Sequence, residues 1–232
     1  MSANFAYVSA ATPYSNSGGD TSIPLNSINA TTGDLIIVAL RWEGGGGSDA
    51  TTATVTDDQS NAYSLLGYMV NASGEDEKVG IFYCLSATGS AALSITATLS
   101  VSRGYRRGLA ASYSYDGTIQ KGSTQTTGGS ITGTTTWTSD AALTVLADDL
   151  IITAHGNYNT GNKVSATDYG TIRTSATLFS LVDYIPVSGG SYTMGGSMGN
   201  DSYVQVTGFF ESTGGTPSII PQIMYHRTQM GN

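Results

Sequence analysis

ALSITATLSVS, residues 92–102, alternates without a break: Leu93, Ile95, Ala97, Leu99 and Val101 point one way, and Ser and Thr point the other. Successive side chains of a strand face opposite sides of a sheet, so this is a half-buried strand whose solvent face carries hydroxyls instead of charge. Outward from it, NFAYVSA (4–10), DLIIVALRW (34–42), ATVTD (53–57), AYSLLGYMV (62–70) and KVGIFYCLS (78–86) are rich in β-branched and aromatic residues. Each ends at Gly, Asn, Asp or Ser, the residues that supply turns. ATVTDDQSNAYSLL reads as a hairpin with DDQSN as its loop. Beyond the RRGLAASYSYDG strand (106–117), DDLIITAH (148–155), SATLFSLVDYIPV (175–187) and SYVQVTGFF (202–210) continue the series, whereas KGSTQTTGGSITGTTTWTS (121–139) is polar and Gly-rich. No window of ten or more residues has a convincing helical period. DAALTVLA (140–147) comes nearest, and it reads equally well as a strand. Short strands at regular intervals predict an all-β sandwich or barrel.

Composition agrees. Charged residues are 11% of the 232 and Gly fills 30 positions, which excludes a coiled coil, a helical bundle and a charge-rich disordered tail. A net charge of −8 with nine basic residues leaves few cations to neutralise phosphates, so no nucleic-acid partner is expected. The single Cys84 excludes a disulfide framework within the chain and a thiolate metal cluster. Two histidines, His155 and His226, are too few for a typical zinc site without carboxylates, and no cofactor is expected. The longest apolar run, LIIVAL (35–40), is far short of the roughly 20 residues of a membrane span. The N-terminal MSANFAYVSAATPYSNSGGD has neither the basic nor the apolar region of a signal peptide, which predicts folding in the cytoplasm.

TTGDLIIVAL (31–40) and VLADDLIITA (145–154) share Asp-Leu-Ile-Ile-x-Ala. The two halves of a jelly roll give such an echo, because equivalent strands enter the core from equivalent corners, and so does convergent strand composition; one hexapeptide does not establish a duplication.

Candidate chemistry is sparse. GGSMG (195–199) fits the G-x-S-x-G nucleophile pattern, with Asp201 and His226 following Ser197 in hydrolase order, but no helix follows it, and the expectation is a loop and no enzyme. His155 is expected at a strand end, bonded to backbone. Asp57, Asp58, Glu75, Asp76 and Glu77 are oxygen donors of the kind calcium takes, yet without an Asp-x-Asp-x-Asp-Gly loop they default to turn chemistry. Arg103, Arg106 and Arg107 form the one basic cluster, suited to an acidic patch on a neighbour, to an anionic glycan, or to a plain surface turn. Trp42, Tyr105, Tyr113, Tyr115 and Tyr158 fall at or near expected loops, and Trp42, Tyr105 and Tyr158 would make a sugar platform there.

Two features favour assembly. Sheet edges are usually guarded by lysine, and this chain has only Lys78, Lys121 and Lys163. The segment after the last strand, STGGTPSIIPQIMYHRTQMGN (212–232), carries Ile219, Ile220, Ile223, Met224 and Tyr225. An apolar tail of this kind either folds back or docks on a neighbour as an extended arm.

GDLIIVALRWEG (33–44), VTDDQSNAYSLLG (55–67), IFYCLSATGSAALSITATLS (81–100), LAASYSYDG (109–117) and ADDLIITA (147–154) together resemble a jelly-roll β-sandwich domain of tailed-phage structural proteins and bacterial surface proteins. The resemblance covers roughly residues 30–212 and rests on the order of individually weak motifs. It implies a fold more than a chemistry. The resulting expectation is an antiparallel jelly-roll-like β-sandwich over residues 1–212, with a short extended C-terminal arm over 213–232. Its expected role is that of a virion structural protein, a capsid decoration or cement or a tail-associated subunit, assembled in the host cytoplasm. Expected partners are identical subunits and other virion proteins. The alternative is a carbohydrate-binding or host-adhesion module that takes a host surface glycan.

Overall fold

The apolar run Leu35–Leu40 lies at the centre of a sheet and is buried on both faces, which a continuous hydrophobic strand requires. The computed structural model describes residues 5–43, 50–71, 77–158, 164–176 and 178–213. Its first half contributes β1 (Phe5–Ala10), β2 (Tyr14–Asn16), β3 (Asp20–Ala30), β4 (Leu35–Glu43), β5 (Ala53–Asp57), β6 (Ser64–Asn71), β7 (Glu77–Cys84), β8 (Ser90–Arg103) and β9 (Arg106–Tyr115). The second contributes β10 (Thr118–Thr138), β11 (Leu143–Val145), β12 (Leu150–Asn157), β13 (Val164–Thr167), β14 (Thr171–Ala176), β15 (Phe179–Tyr184), β16 (Gly190–Tyr192) and β17 (Gly195–Thr213). The described residues are all-β, and the sheets are antiparallel. Among them no helix is long and apolar enough to cross a membrane.

The two halves repeat one plan. The first six-stranded sheet runs β1-β9-β4-β7-β6, with β2 on β9; the second runs β10-β17-β12-β15-β14, with β13 on β17. With β2 left aside, both orders read first, eighth, third, sixth, fifth within their own half. The second and seventh strands also pair in each half, as β3 with β8 and as β11 with β16. The fourth strands differ, since β5 pairs β8 whereas β13 pairs β17.

The Asp-Leu-Ile-Ile echo marks this equivalence. It starts β4 and β12, the central strand of each large sheet. Asp34 and Asp149 are both buried, and each carboxylate accepts the N–H three residues earlier, from Thr31 and from Leu146, at 2.8 Å. The residue before each has positive φ, 103° at Gly33 and 66° at Asp148. Two turns of one design thus aim two apolar strands into the core.

Stacking follows from alternation along those strands. Leu35, Ile37 and Ala39 of β4 share one core with Leu150, Ile152 and Ala154 of β12, so the large sheets pack face to face. Ile36, Val38, Leu40 and Trp42 turn the other way, under β3, β5 and β8. Ile151 and Val182 turn outward beneath β11 and the β16 region, with Trp137, Met194 and Met198. Each fully buried Leu or Ile contributes about 1.5–3 kcal/mol, so the shared core ties the halves together.

One reading is corrected. ATVTDDQSNAYSLL is not a hairpin: β5 pairs β8 and β6 pairs β7, and 58–63 cross from one sheet to the next. The polar stretch 121–139 falls almost wholly in β10, a 21-residue strand along β17.

Candidate functional site

The outer faces of the two large sheets differ in cover. Over the first lie β3 and β8, of 11 and 14 residues. Over the second lie β11 and β16, of 3 residues each. Register makes the consequence specific. Cys84 sits opposite Ile36, and Tyr184 sits opposite the equivalent Ile151. Cys84 is buried, while Tyr184 stays half-exposed.

Around Tyr184 the chain builds an aromatic surface. Tyr169 comes from the turn between β13 and β14, and Tyr192 closes β16. The turn needs glycine at 170: φ is +83°, and a Cβ would lie 2.0 Å from the Asp183 carbonyl oxygen. Rings of Tyr169, Tyr184 and Tyr192 lie 5.4 Å apart in every pair, and the Tyr192 hydroxyl donates to Ser188 O at 2.8 Å. Tyr169 is 39% exposed.

At the edge of the same sheet, on the side that faces Tyr7, a cleft of about 380 Å³ is lined by Gly170, Thr171, Arg173, Asp183, Tyr184 and Ile185. Arg173 Nε donates to both oxygens of the buried Asp183 carboxylate, at 2.8 and 2.7 Å. The guanidinium also stacks 4.7 Å from the Tyr7 ring of the other large sheet. Burial lowers the Arg173 pKa, but the bond to Asp183 and its charge outweigh that and lift it, so Arg173 stays charged. Arg173 is thus a fixed donor group at 28% exposure, with its terminal amino groups unbonded to the described residues.

A second polar group is buried between the large sheets. Arg41 reaches from β4 to bond Glu77 and, at 3.0 Å, the carbonyl oxygen of Asn157. Gly156 makes room for it, since a Cβ there would lie 2.9 Å from Arg41 Cδ. Burial lowers the Arg41 pKa to about 10, against the pull of Glu43. His155 sits between Trp137 and Tyr203, at centroid distances of 4.9 and 5.4 Å, and its Nε2 meets Asn157 Oδ1 at 3.1 Å. Both groups are enclosed: Arg41 serves the join between the large sheets, and His155 lies on the outer face of the second with Trp137 and Tyr203.

The sequence-predicted residues scatter. Trp42 is no sugar platform: it is 0% exposed, edge-on to Tyr68 and beneath the Lys78 ammonium. It faces inward because β4 is covered on both sides. Arg106 and Arg107 are buried too and offer no basic surface. Arg106 donates to the carbonyls of Ser22 and Gly18, and Arg107 to that of Asn16 at 3.1 Å, strapping the β2–β3 segment to β9. Arg103 is half-buried and donates to Thr51 Oγ1 at 3.0 Å. Tyr105 is exposed on the β8–β9 turn, and Tyr158 is half-buried just past β12. Ile219, Ile220, Ile223, Met224, Tyr225 and His226 lie outside the described residues.

Ser197 lies within β17, paired to Thr136 and Ala166, without the strand–elbow–helix setting of a nucleophile. Asp57 accepts from Gln59 N, from the Asn61 amide groups and from the Tyr63 hydroxyl, so its turn is closed on itself. Glu77 pairs with Arg41, and Glu75 and Asp76 lie outside the described residues. His155 is inside β12, bonded to a side-chain amide instead of backbone.

Sequence reasoning passed over Tyr169, Tyr184, Tyr192, Arg173 and Asp183. One signal was present: Arg173 is the sole arginine between Arg107 and Arg227. Compared with protein-family models, with curated proteins and with solved structures, the chain matches none.

Proposed function

We propose that the chain is a structural protein of a tailed-phage virion, a capsid-decorating or tail-associated subunit that works by packing against copies of itself and other particle proteins. First, eighth, third and sixth strands in one sheet, facing second, seventh and fourth, is the order expected of a jelly roll, and supports that reading of the first half. The second half carries a shortened version, and in both halves the fifth strand departs by pairing beyond the sixth.

The observation that carries the packing role is the turn pair at one end of the second half. Val187 is 89% exposed and Leu146 72%, on neighbouring turns tied by Asp148 N donating to Pro186 O at 2.8 Å. Large apolar side chains held together outside the core favour a partner that covers them. Size exclusion with light scattering tests this on the full chain, on a Leu146→Asp/Val187→Asp variant and on a chain ending at Gly214. The full chain is expected as an oligomer and the double variant as a smaller species. The shortened chain separates the role of the tail from that of the turns. A full chain that stays monomeric at high concentration overturns the reading.

A further inference from the structure

We propose that copies of the chain assemble head to tail, with the Leu146–Val187 turns of one copy seated on Val101 and Tyr105 of the next. This contact rests on the packing role and supplies the second surface that it needs.

Exposure singles out the two surfaces. Among the described residues, the four most exposed large apolar side chains are Val187 and Leu146, at 89% and 72%, and Val101 and Tyr105, at 49% each. The two pairs fall at opposite ends of the sandwich. β4 and β12 run in the same direction, since Arg41, near the finish of β4, bonds Asn157 at the finish of β12. Leu146 lies just before the start of β12, and Val187 follows Tyr184, the partner of Ile151 at that start. Tyr105 precedes β9, whose Arg107 sits opposite Arg41, so it stands at the finish of β4 together with the end of β8. The nine residues of β4, at about 3.3 Å each, set the two ends roughly 30 Å apart. The surfaces of one copy therefore cannot meet each other.

The turns do not need their apolar side chains. In the first half the equivalent turns are tied in the same way: Thr31 N donates to Asp34 and Gly33 N to Ala87 O, as Leu146 N does to Asp149 and Asp148 N to Pro186 O. At the places of Leu146 and Val187 those turns carry Thr31 and Thr88, both exposed. Threonine serves the turn in water, so leucine and valine answer to a surface that covers them. Tyr105 has a φ of 45°, in the left-handed region that bulky side chains seldom take.

Charge favours a contact between unlike surfaces. Asp148 lies on the first, and its charge and that of Glu211 both act on Asp149. Arg103 lies between Val101 and Tyr105 on the second. Two copies of the first surface face to face would oppose carboxylate to carboxylate, whereas the second surface brings a cation. Such a contact repeats from copy to copy, into a ring if the rotation closes and into a filament if it does not.

Two double variants of the full chain test this by size exclusion with light scattering, at concentrations where the unaltered chain is assembled. Leu146→Asp/Val187→Asp removes one surface and Val101→Asp/Tyr105→Asp the other, and aspartate suits the left-handed φ at 105. Each variant alone is expected as a monomer. Mixed one to one, they are expected to form a two-chain species and nothing larger, because each keeps one intact surface. Leu146→Thr/Val187→Thr, which copies the turns of the first half, stands in if the aspartate variant does not fold, and Val101→Thr/Tyr105→Asn does so for the other. A Val101→Asp/Tyr105→Asp chain that assembles on its own, or a mixture that stays monomeric, overturns the head-to-tail contact and leaves the packing role standing. An unaltered chain that is monomeric overturns both.

Discussion

His155 shows how much one buried side chain can set. Burial drives its pKa down to about 4; Gln205 and Asn157 oppose the shift, and the Arg41 charge adds to it. Unfolded, the ring takes its first proton near 6.5. Its neutral form therefore contributes stability that is complete above about pH 6.5 and is lost as pH falls through about 4. The shift amounts to about 3 kcal/mol. Asp149 works in the opposite sense over the same window. Burial raises its pKa to about 6, so the stability it adds is present in acid and lost as pH rises through that value. Thermal melts of His155→Gln between pH 7 and pH 4.5 are expected to show a smaller fall in Tm than the parent. An equal or steeper fall would mean that the ring is not the acid-sensitive group. None of this was legible in sequence, where His155 reads as a strand-end residue. Its pKa comes from Trp137, Tyr203 and Arg41, all distant along the chain.

Elements were far more legible. The expected strands at 34–42, 53–57, 62–70, 78–86 and 92–102 coincide with β4 to β8, because each is rich in β-branched and aromatic residues and is bounded by turn formers. The 121–139 stretch lacks that signal, although it forms most of the long β10. Thr, Ser and Gly give no apolar signal, and β10 takes its stability from pairing along β17. The hairpin misreading had a related cause: DDQSN has the composition of a turn, and composition does not say which strand a segment will meet. Glycine spacing sets limits at this scale. A Cβ on Gly108 would lie 2.6 Å from Ile23 Cγ2 and 3.1 Å from Leu25 Cδ2, so β9 admits β3 only with glycine there. Gly108→Val is expected to cost about 2 kcal/mol by overpacking, read as a Tm lower by roughly 4–8 °C. Gly104→Ala, with its nearest neighbour atom at 3.7 Å, should leave Tm unchanged. Similar losses in both would show that β3 yields easily.

For the whole molecule, the decisive fact is that the halves share a core. Phe5, Ile37 and Leu109 from one side, and Ile119, Ile152 and Val206 from the other, belong to one cluster, and Arg41 crosses between the large sheets. Each half alone would expose a broad apolar face. Residues 1–116 and 117–213 expressed separately are therefore expected to be unfolded or aggregated, and the full chain to melt in one transition. Two separable transitions, or a soluble folded half, would contradict this. The sequence carried a trace of the plan in its shared hexapeptide, but the equivalence of β4 and β12 needed the pairing of every other strand to be seen. The tyrosine cluster was hidden for the same reason, since it arises from what the second half lacks relative to the first.

Cys84 occupies the place in the first half that Tyr184 holds in the second, and it is the only thiol in the chain. It is shut beneath the β3–β8–β5 layer, and burial pushes its pKa up to about 11, so in the closed state almost no thiolate meets a reagent. The rate at which a thiol-directed dye labels the native protein is therefore a clock for the lifting of that outer layer. The difference between these twin positions gives the first half a chemical reporter of its own breathing, where the second half carries one ring of an open aromatic face.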